Sequence, residues 1–172
     1  MARRILEVEE LEAIVEEFIA PIGDIEAELG TDFYSFPYDN VIQFAIFVKD
    51  NSDKYFQNFV DTAFPLAKGL VGTFMWSVLH EVGHIMTDKE VTEEEENFSD
   101  KVKNILNNRE KLEDLDYYVY FYLADEYKAT EWAYHYIMNN LNRVLEYENK
   151  IYEKVLNFVE KYVDETEELW YN

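Results

Sequence analysis

Apolar residues recur every three or four positions from Leu6 to Ile19, where Val8, Leu11, Val15 and Phe18 are separated by glutamates. That spacing predicts an amphipathic helix, and Pro21 and Gly23 end it. From Phe33 the pattern changes. Phe33-Tyr34-Ser35-Phe36 and the run Val41 to Val48 are rich in aromatic and β-branched residues, and they flank a turn at Pro37-Tyr38-Asp39-Asn40. Two strands are predicted, paired as a hairpin. Ser52 is placed to cap a short helix that reaches Phe64, where Pro65 intervenes, and a third helix should run from about Gly69 to Ile85. Thr92 and Glu95 have the spacing of a capping box, with Glu93 to Glu96 as an acidic first turn that the helix dipole favours. Asp116 is expected to open a long helix from Tyr117 to about Met138, apolar or aromatic nearly all round and so buried. The last helix, Leu141 to Val163, carries Val144, Ile151, Val155 and Phe158 on one face and charge on the other. No repeat or linker divides the chain. The expectation is a single α+β domain over 1–172, helix-rich, with a small β-sheet.

Composition narrows the function classes. The chain has 14 Tyr, 12 Phe and 3 Trp, a load that a disordered chain does not carry. No stretch of about 18 uncharged apolar residues is present, which argues against a membrane span. Two arginines near the start are followed by Glu7 before any apolar run, unlike a secretory signal, so a cytoplasmic location is expected. The net charge of −22 sets a field that repels nucleic acid and anionic membrane and favours a basic protein partner. The same charge would also serve solubility alone. With no cysteine, a metal must be held by histidine and carboxylate.

The chemistry concentrates in the third predicted helix, at His80-Glu81-Val82-Gly83-His84. Histidines four apart on a helix are offset by about 40° and one turn, so both imidazoles can reach one ion. Zinc accepts such nitrogens at roughly 2.0–2.1 Å and keeps a position open for water in catalytic sites. Glu81 is placed to take a proton from that water as it attacks a carbonyl, the work of a general base. A third ligand is required. Asp125, Glu126 and Glu131 compete for the role within an aromatic segment, where a buried carboxylate is costly unless paired or metal-bound. Glu126 and Glu131 lie about 140° apart on a helix, so only one of them faces a given ion. His135 is one turn beyond Glu131 and would serve as an oxyanion donor only if Glu131 were the ligand. The run Val41 to Val48 is a candidate edge for a peptide to join as an added strand.

The order His-Glu-x-x-His, some forty residues, then Glu126-x-x-Ala129 followed by Trp132-Ala133 resembles the ImmA/IrrE family of small bacterial and phage zinc metallopeptidases. The likeness spans about Gly69 to Ala133. It implies a zincin fold with Zn2+ held by His80, His84 and Glu126, Glu81 as the base, and Ala129 as a small packing residue. Thr130 stands where the family usually has Asn or Asp to orient a zinc histidine. By the same resemblance the substrate is an intracellular protein, such as a DNA-binding repressor. The competing expectation is a non-enzymatic, acidic inhibitor that mimics DNA towards a basic protein, its metal site structural or vestigial.

Overall fold

The computed structural model describes residues 2–46 and 52–171, with side chains over 7–46 and 52–167. Within them the chain is a helix-rich α+β structure: α1 (Ala2–Ile19), β1 (Glu26–Leu29), β2 (Tyr34–Phe36), β3 (Val41–Phe44), α2 (Ser52–Ala63), α3 (Thr73–Thr87), α4 (Glu93–Asn107), α5 (Asp114–Phe121), α6 (Ala124–Asn139) and α7 (Leu141–Tyr171). No helix among the described residues is long and apolar enough to cross a membrane.

The centre of the molecule is α3. Ten of its residues are buried, from Met75 to Gly83 and at Thr87, because between Thr73 and Thr87 the only ionisable groups are His80, Glu81 and His84. A helix so poor in charge is covered along most of its length, leaving Met86 exposed near its end. Its most extensive partner is α6, and β2 and β3 lie across another face. The first helix buries Leu11, Val15, Phe18 and Ile19. It runs antiparallel to α7, with Tyr147 donating to Glu17 at 2.8 Å, Lys154 bonded to Glu10, and Lys161 bonded to Glu7 at 2.8 Å. This outer pair closes the core at a distance from α3's histidines.

The hairpin forms as expected, β2 pairing antiparallel with β3 around residues 37–40, and Asn40 takes the left-handed backbone that asparagine tolerates. Phe47 and Val48, part of the predicted strand, lie outside the described residues. The sheet has a third strand that the sequence pattern did not announce. Glu26-Ala27-Glu28-Leu29 is four residues with a single fully buried side chain, Ala27, and it pairs parallel with β3. The strand order is therefore β1-β3-β2. This corrects the expectation for Val41–Val48: β3 is the central strand, its backbone groups are taken on both sides, and it offers no edge to a peptide. The outer strands are β1, whose Ala27 amide is taken by Glu16 of α1, and β2.

A second correction concerns the long helix from Tyr117 to Met138. It is two helices, α5 and α6, joined at Tyr122 and Leu123. Leu123 is extended at φ −59°, ψ 144°, and its carbonyl accepts the first hydrogen bond of α6 from Tyr127 at 2.8 Å. No Gly or Pro marks the break. Phe121 and Leu123, both buried, pin the chain on either side of it. Asp116 does not open α5 either. It is the third residue of a capping box whose cap is Glu113, accepting from the Glu113 amide at 2.9 Å and from Arg109 at 2.7 Å. The capping box at Thr92 and Glu95 is present as predicted.

Candidate metal centre

Two helices bring the site together. On α3, His80 and His84 point the same way one turn apart, with Nε2 atoms 3.0 Å from each other. On α6, Glu126 sits in the first turn and turns its Oε2 to the same point, 2.9 Å from His80 Nε2 and 3.1 Å from His84 Nε2. These three side chains form the one group among the described residues spaced to hold a metal ion. The donor set, two imidazoles and one carboxylate with the atoms about 3 Å apart, suits a small divalent cation bound at about 2 Å. The close approach of the helices depends on residues without bulk. Gly83 lies directly against the backbone of Ala129. The Glu-x-x-Ala spacing thus combines a ligand with the contact that sets its distance from the histidines.

The break before α6 has a local consequence. In a continuous helix the backbone amides near Glu126 would be spent on the preceding turn. At the start of α6 they instead form the positive end of the helix, where acidic side chains are favoured. Glu126 is 3% exposed, while Glu131 is solvent-exposed on the opposite side of α6. That separates the two alternatives the spacing left open. His135 is also exposed, on the side of α6 away from Glu126 and with its ring tilted against Tyr134, so it has no part in the site. Alanine at Glu126 is expected to lower metal affinity by more than about 100-fold, beyond the usual cost of losing an outer-shell partner, and alanine at Glu131 to leave it unchanged. Chelator competition measures both, and the reverse ranking would overturn the ligand assignment.

Thr130, one turn after Glu126 and fully buried, orients His80. Its hydroxyl donates to the Glu126 carbonyl at 2.9 Å and so has only acceptor capacity left for His80 Nδ1, 2.9 Å away. The imidazole therefore donates from Nδ1, which fixes the ring with Nε2 facing Glu126 and His84. A hydroxyl here does the work for which the resembled family uses an amide or carboxylate.

Glu81 faces the same cleft but stands outside the group of three donors. Burial raises its carboxyl above the usual range; the two histidines pull the other way, and Glu126 adds to the rise. Ser35 supplies a hydrogen bond to it. Ser35 is paired with Ile42 in β3, and Ile42 with Ala27 in β1, so all three share the sheet face turned towards α3. Tyr120, on α5, hydrogen-bonds Glu126, and burial together with that negative charge holds its hydroxyl protonated well beyond the ordinary range. Lys103, on α4, reaches Glu126 Oε1 at 2.9 Å and Asp125 Oδ2 at 2.6 Å. Nothing in the local spacing marks Ser35, Lys103 or Tyr120. Ser35 and Lys103 come from elements well separated from the ligands in sequence, and Tyr120 from the helix just before α6.

For His84, burial disfavours the charged ring, but Glu126, with smaller help from Glu81 and Asp125, prevails and lifts it to about 9 in the metal-free protein. The ordinary value is 6.5, so between about 6.5 and 9 the folded chain holds a proton that the unfolded chain has released. This stabilisation is complete below 6.5 and lost as pH rises through 9. Metal-free protein should therefore lose up to about 3 kcal/mol of stability across that window, because each tenfold gain in proton affinity on folding is worth roughly 1.4 kcal/mol. Urea midpoints in the presence of chelator report it, and a flat profile would contradict the pairing of His84 with Glu126.

A cleft of about 760 Å3 opens over these residues, bounded by β2, α2, α4 and α5. Nine carboxylates line it, and Lys103 is the one lysine or arginine among its described lining residues. Comparison of the chain with family models, with characterised proteins and with solved structures gives no significant match. The site's chemistry therefore rests on its own geometry.

Proposed function

We propose that this protein is a zinc-dependent metallopeptidase of the zincin type that hydrolyses a peptide bond in an intracellular, basic protein, a DNA-binding repressor being the class suggested by the family it resembles. The observation that carries the reading is the buried triangle of His80, His84 and Glu126 with a fourth ionisable group, Glu81, beside it in the cleft but outside the ligand set. A structural metal site has no use for a buried carboxylate that ligates nothing. A hydrolytic site needs one as the proton acceptor.

Zinc, when bound by His80, His84 and Glu126, would supply Lewis acidity, acidifying water and polarising a substrate carbonyl. The remaining work belongs to the chain. Glu81 accepts the proton of the attacking water and returns it to the leaving amine, its raised affinity for protons bringing it nearer the working pH. Ser35 fixes the Glu81 carboxylate, and Thr130 fixes His80. Tyr120 spends its O–H on Glu126 and so helps to hold that carboxylate in place. The open edge of β2 runs along the cleft through Tyr34 and Ser35, where an extended peptide can pair with the backbone. The surplus of carboxylates in the cleft supports a substrate rich in lysine and arginine.

The test is metal analysis of protein purified without added metal and then supplied with zinc, followed by capture of a substrate with Glu81→Gln protein. About one zinc per chain and release of cleaved partner by the wild type support the reading. Less than about a tenth of an ion per chain, with the partner bound uncut by both proteins, would instead establish the acidic inhibitor.

A further inference from the structure

We propose that Lys103 is the positioning residue that restricts Glu126 to one-oxygen ligation and thereby keeps a coordination position free. The inference rests on reading His80, His84 and Glu126 as a metal site. The two oxygens of Glu126 have different partners. Oε2 faces both histidines, at 2.9 and 3.1 Å, whereas Oε1 is engaged by Lys103 Nζ at 2.9 Å. The ammonium is itself held from a second side by Asp125 Oδ2 at 2.6 Å, and it lies 5.3 Å from the centre of the Tyr120 ring. It comes from α4, while the ligands come from α3 and α6. Glu126 is nearly fully buried and Lys103 three-quarters buried, so water is not available to replace this contact cheaply.

The chemistry of the carboxylate makes that contact consequential. A carboxylate can offer a cation one oxygen or both, and with two imidazoles already present the second oxygen would fill the place a reacting water or carbonyl needs. A cation bonded to Oε1 prevents this by direction and by charge. It also offsets part of the local excess of carboxylate from Glu81, Asp125 and Glu126, three acids within one wall of the cleft. A purely structural lysine would support the fold without influencing how many oxygens reach the ion.

The experiment uses cobalt(II) as a spectroscopic probe in the full chain. Wild-type protein should show the intense visible absorption of four-coordinate cobalt. Lys103→Met, which keeps the apolar stem and removes the ammonium, should show that absorption fall at least twofold as Glu126 chelates through both oxygens. Affinity should hold or rise, because a cation next to the site has been removed. Lys103→Arg should restore the wild-type spectrum. An unchanged spectrum in Lys103→Met, whether binding is equal or weaker, would overturn the proposal and leave Lys103 a fold-supporting ion pair. If the Met variant does not fold, Lys103→Leu replaces it; a wild-type spectrum there would overturn the proposal equally, because leucine offers Oε1 neither a donor nor a charge. A wild-type chain that binds no cobalt would defeat the metal-site reading itself, a failure distinct from the others.

Discussion

Replacing Gly83 with alanine is expected to destabilise the protein by about 3 kcal/mol and to weaken metal binding at the same time. A Cβ at this position would stand 2.3 Å from the carbonyl oxygen of Ala129, 2.9 Å from its carbonyl carbon and 3.0 Å from its Cα. All three atoms are backbone, so no rotamer change relieves the overlap. The helices α3 and α6 must move apart, and the cost falls at the upper end of what overpacking a core produces. For a chain of this size it corresponds to a fall of roughly 10 °C in Tm. The same separation carries Glu126 away from His80 and His84, which the two helices now hold about 3 Å apart. Thermal unfolding of the metal-free variant and chelator competition measure the two effects. An unchanged Tm would mean that the helices tolerate greater spacing than their packing implies.

The largest effect on activity is expected at Glu81. Glutamine has nearly the same shape, can still accept the Ser35 hydrogen bond through its amide oxygen, and alters none of the three ligands. It cannot take a proton. Zinc content and Tm should therefore stay at wild-type values while kcat falls about a thousandfold, within the usual range for loss of a general base. A comparable KM would confirm that the loss arises at the chemical step. The assay is cleavage of the partner captured with the variant. Turnover equal to wild type would remove Glu81 from the mechanism, and loss of zinc would make it a ligand instead.

Much of the site was legible in the sequence because its donors obey helical arithmetic. His80 and His84 are separated by one turn, and so are Glu126 and Thr130. Spacing alone left Glu126 and Glu131 open; the Glu126-x-x-Ala129 resemblance pointed to Glu126, the one of the two that is buried. Thr130 looked like a departure from a known pattern. Only the geometry shows its hydroxyl fixed by the Glu126 carbonyl and turned to His80 Nδ1. Lys103 and Tyr120 reach the site through tertiary contacts, and no local spacing marks them.

The fold followed the same division. Capping at Thr92, the turn at residues 37–40 and the stop at Pro65 are local chemistry, and each appears where predicted. The break at Leu123 is imposed by the packing of Phe121 and Leu123, with no punctuating residue to announce it. Strand β1 exists because β3 offers it a parallel partner; its own apolar face is only Ala27 and Leu29, too short to announce a strand by itself. The misplaced edge strand has the same origin, since a strand's position within a sheet depends on a neighbour that the pattern did not reveal.

His84 and Glu126 are 42 residues apart, and all of α4 and α5 lies between them. Bringing the ends of such a stretch together costs the unfolded chain entropy that folding must recover. An ion gripped by both ends binds the folded chain and has little hold on the unfolded one. It therefore acts as a removable staple whose strength follows its free concentration, about 2.7 kcal/mol at about 100 times Kd. With the proposed ion bound, its supply would set how readily proteases reach the unfolded chain.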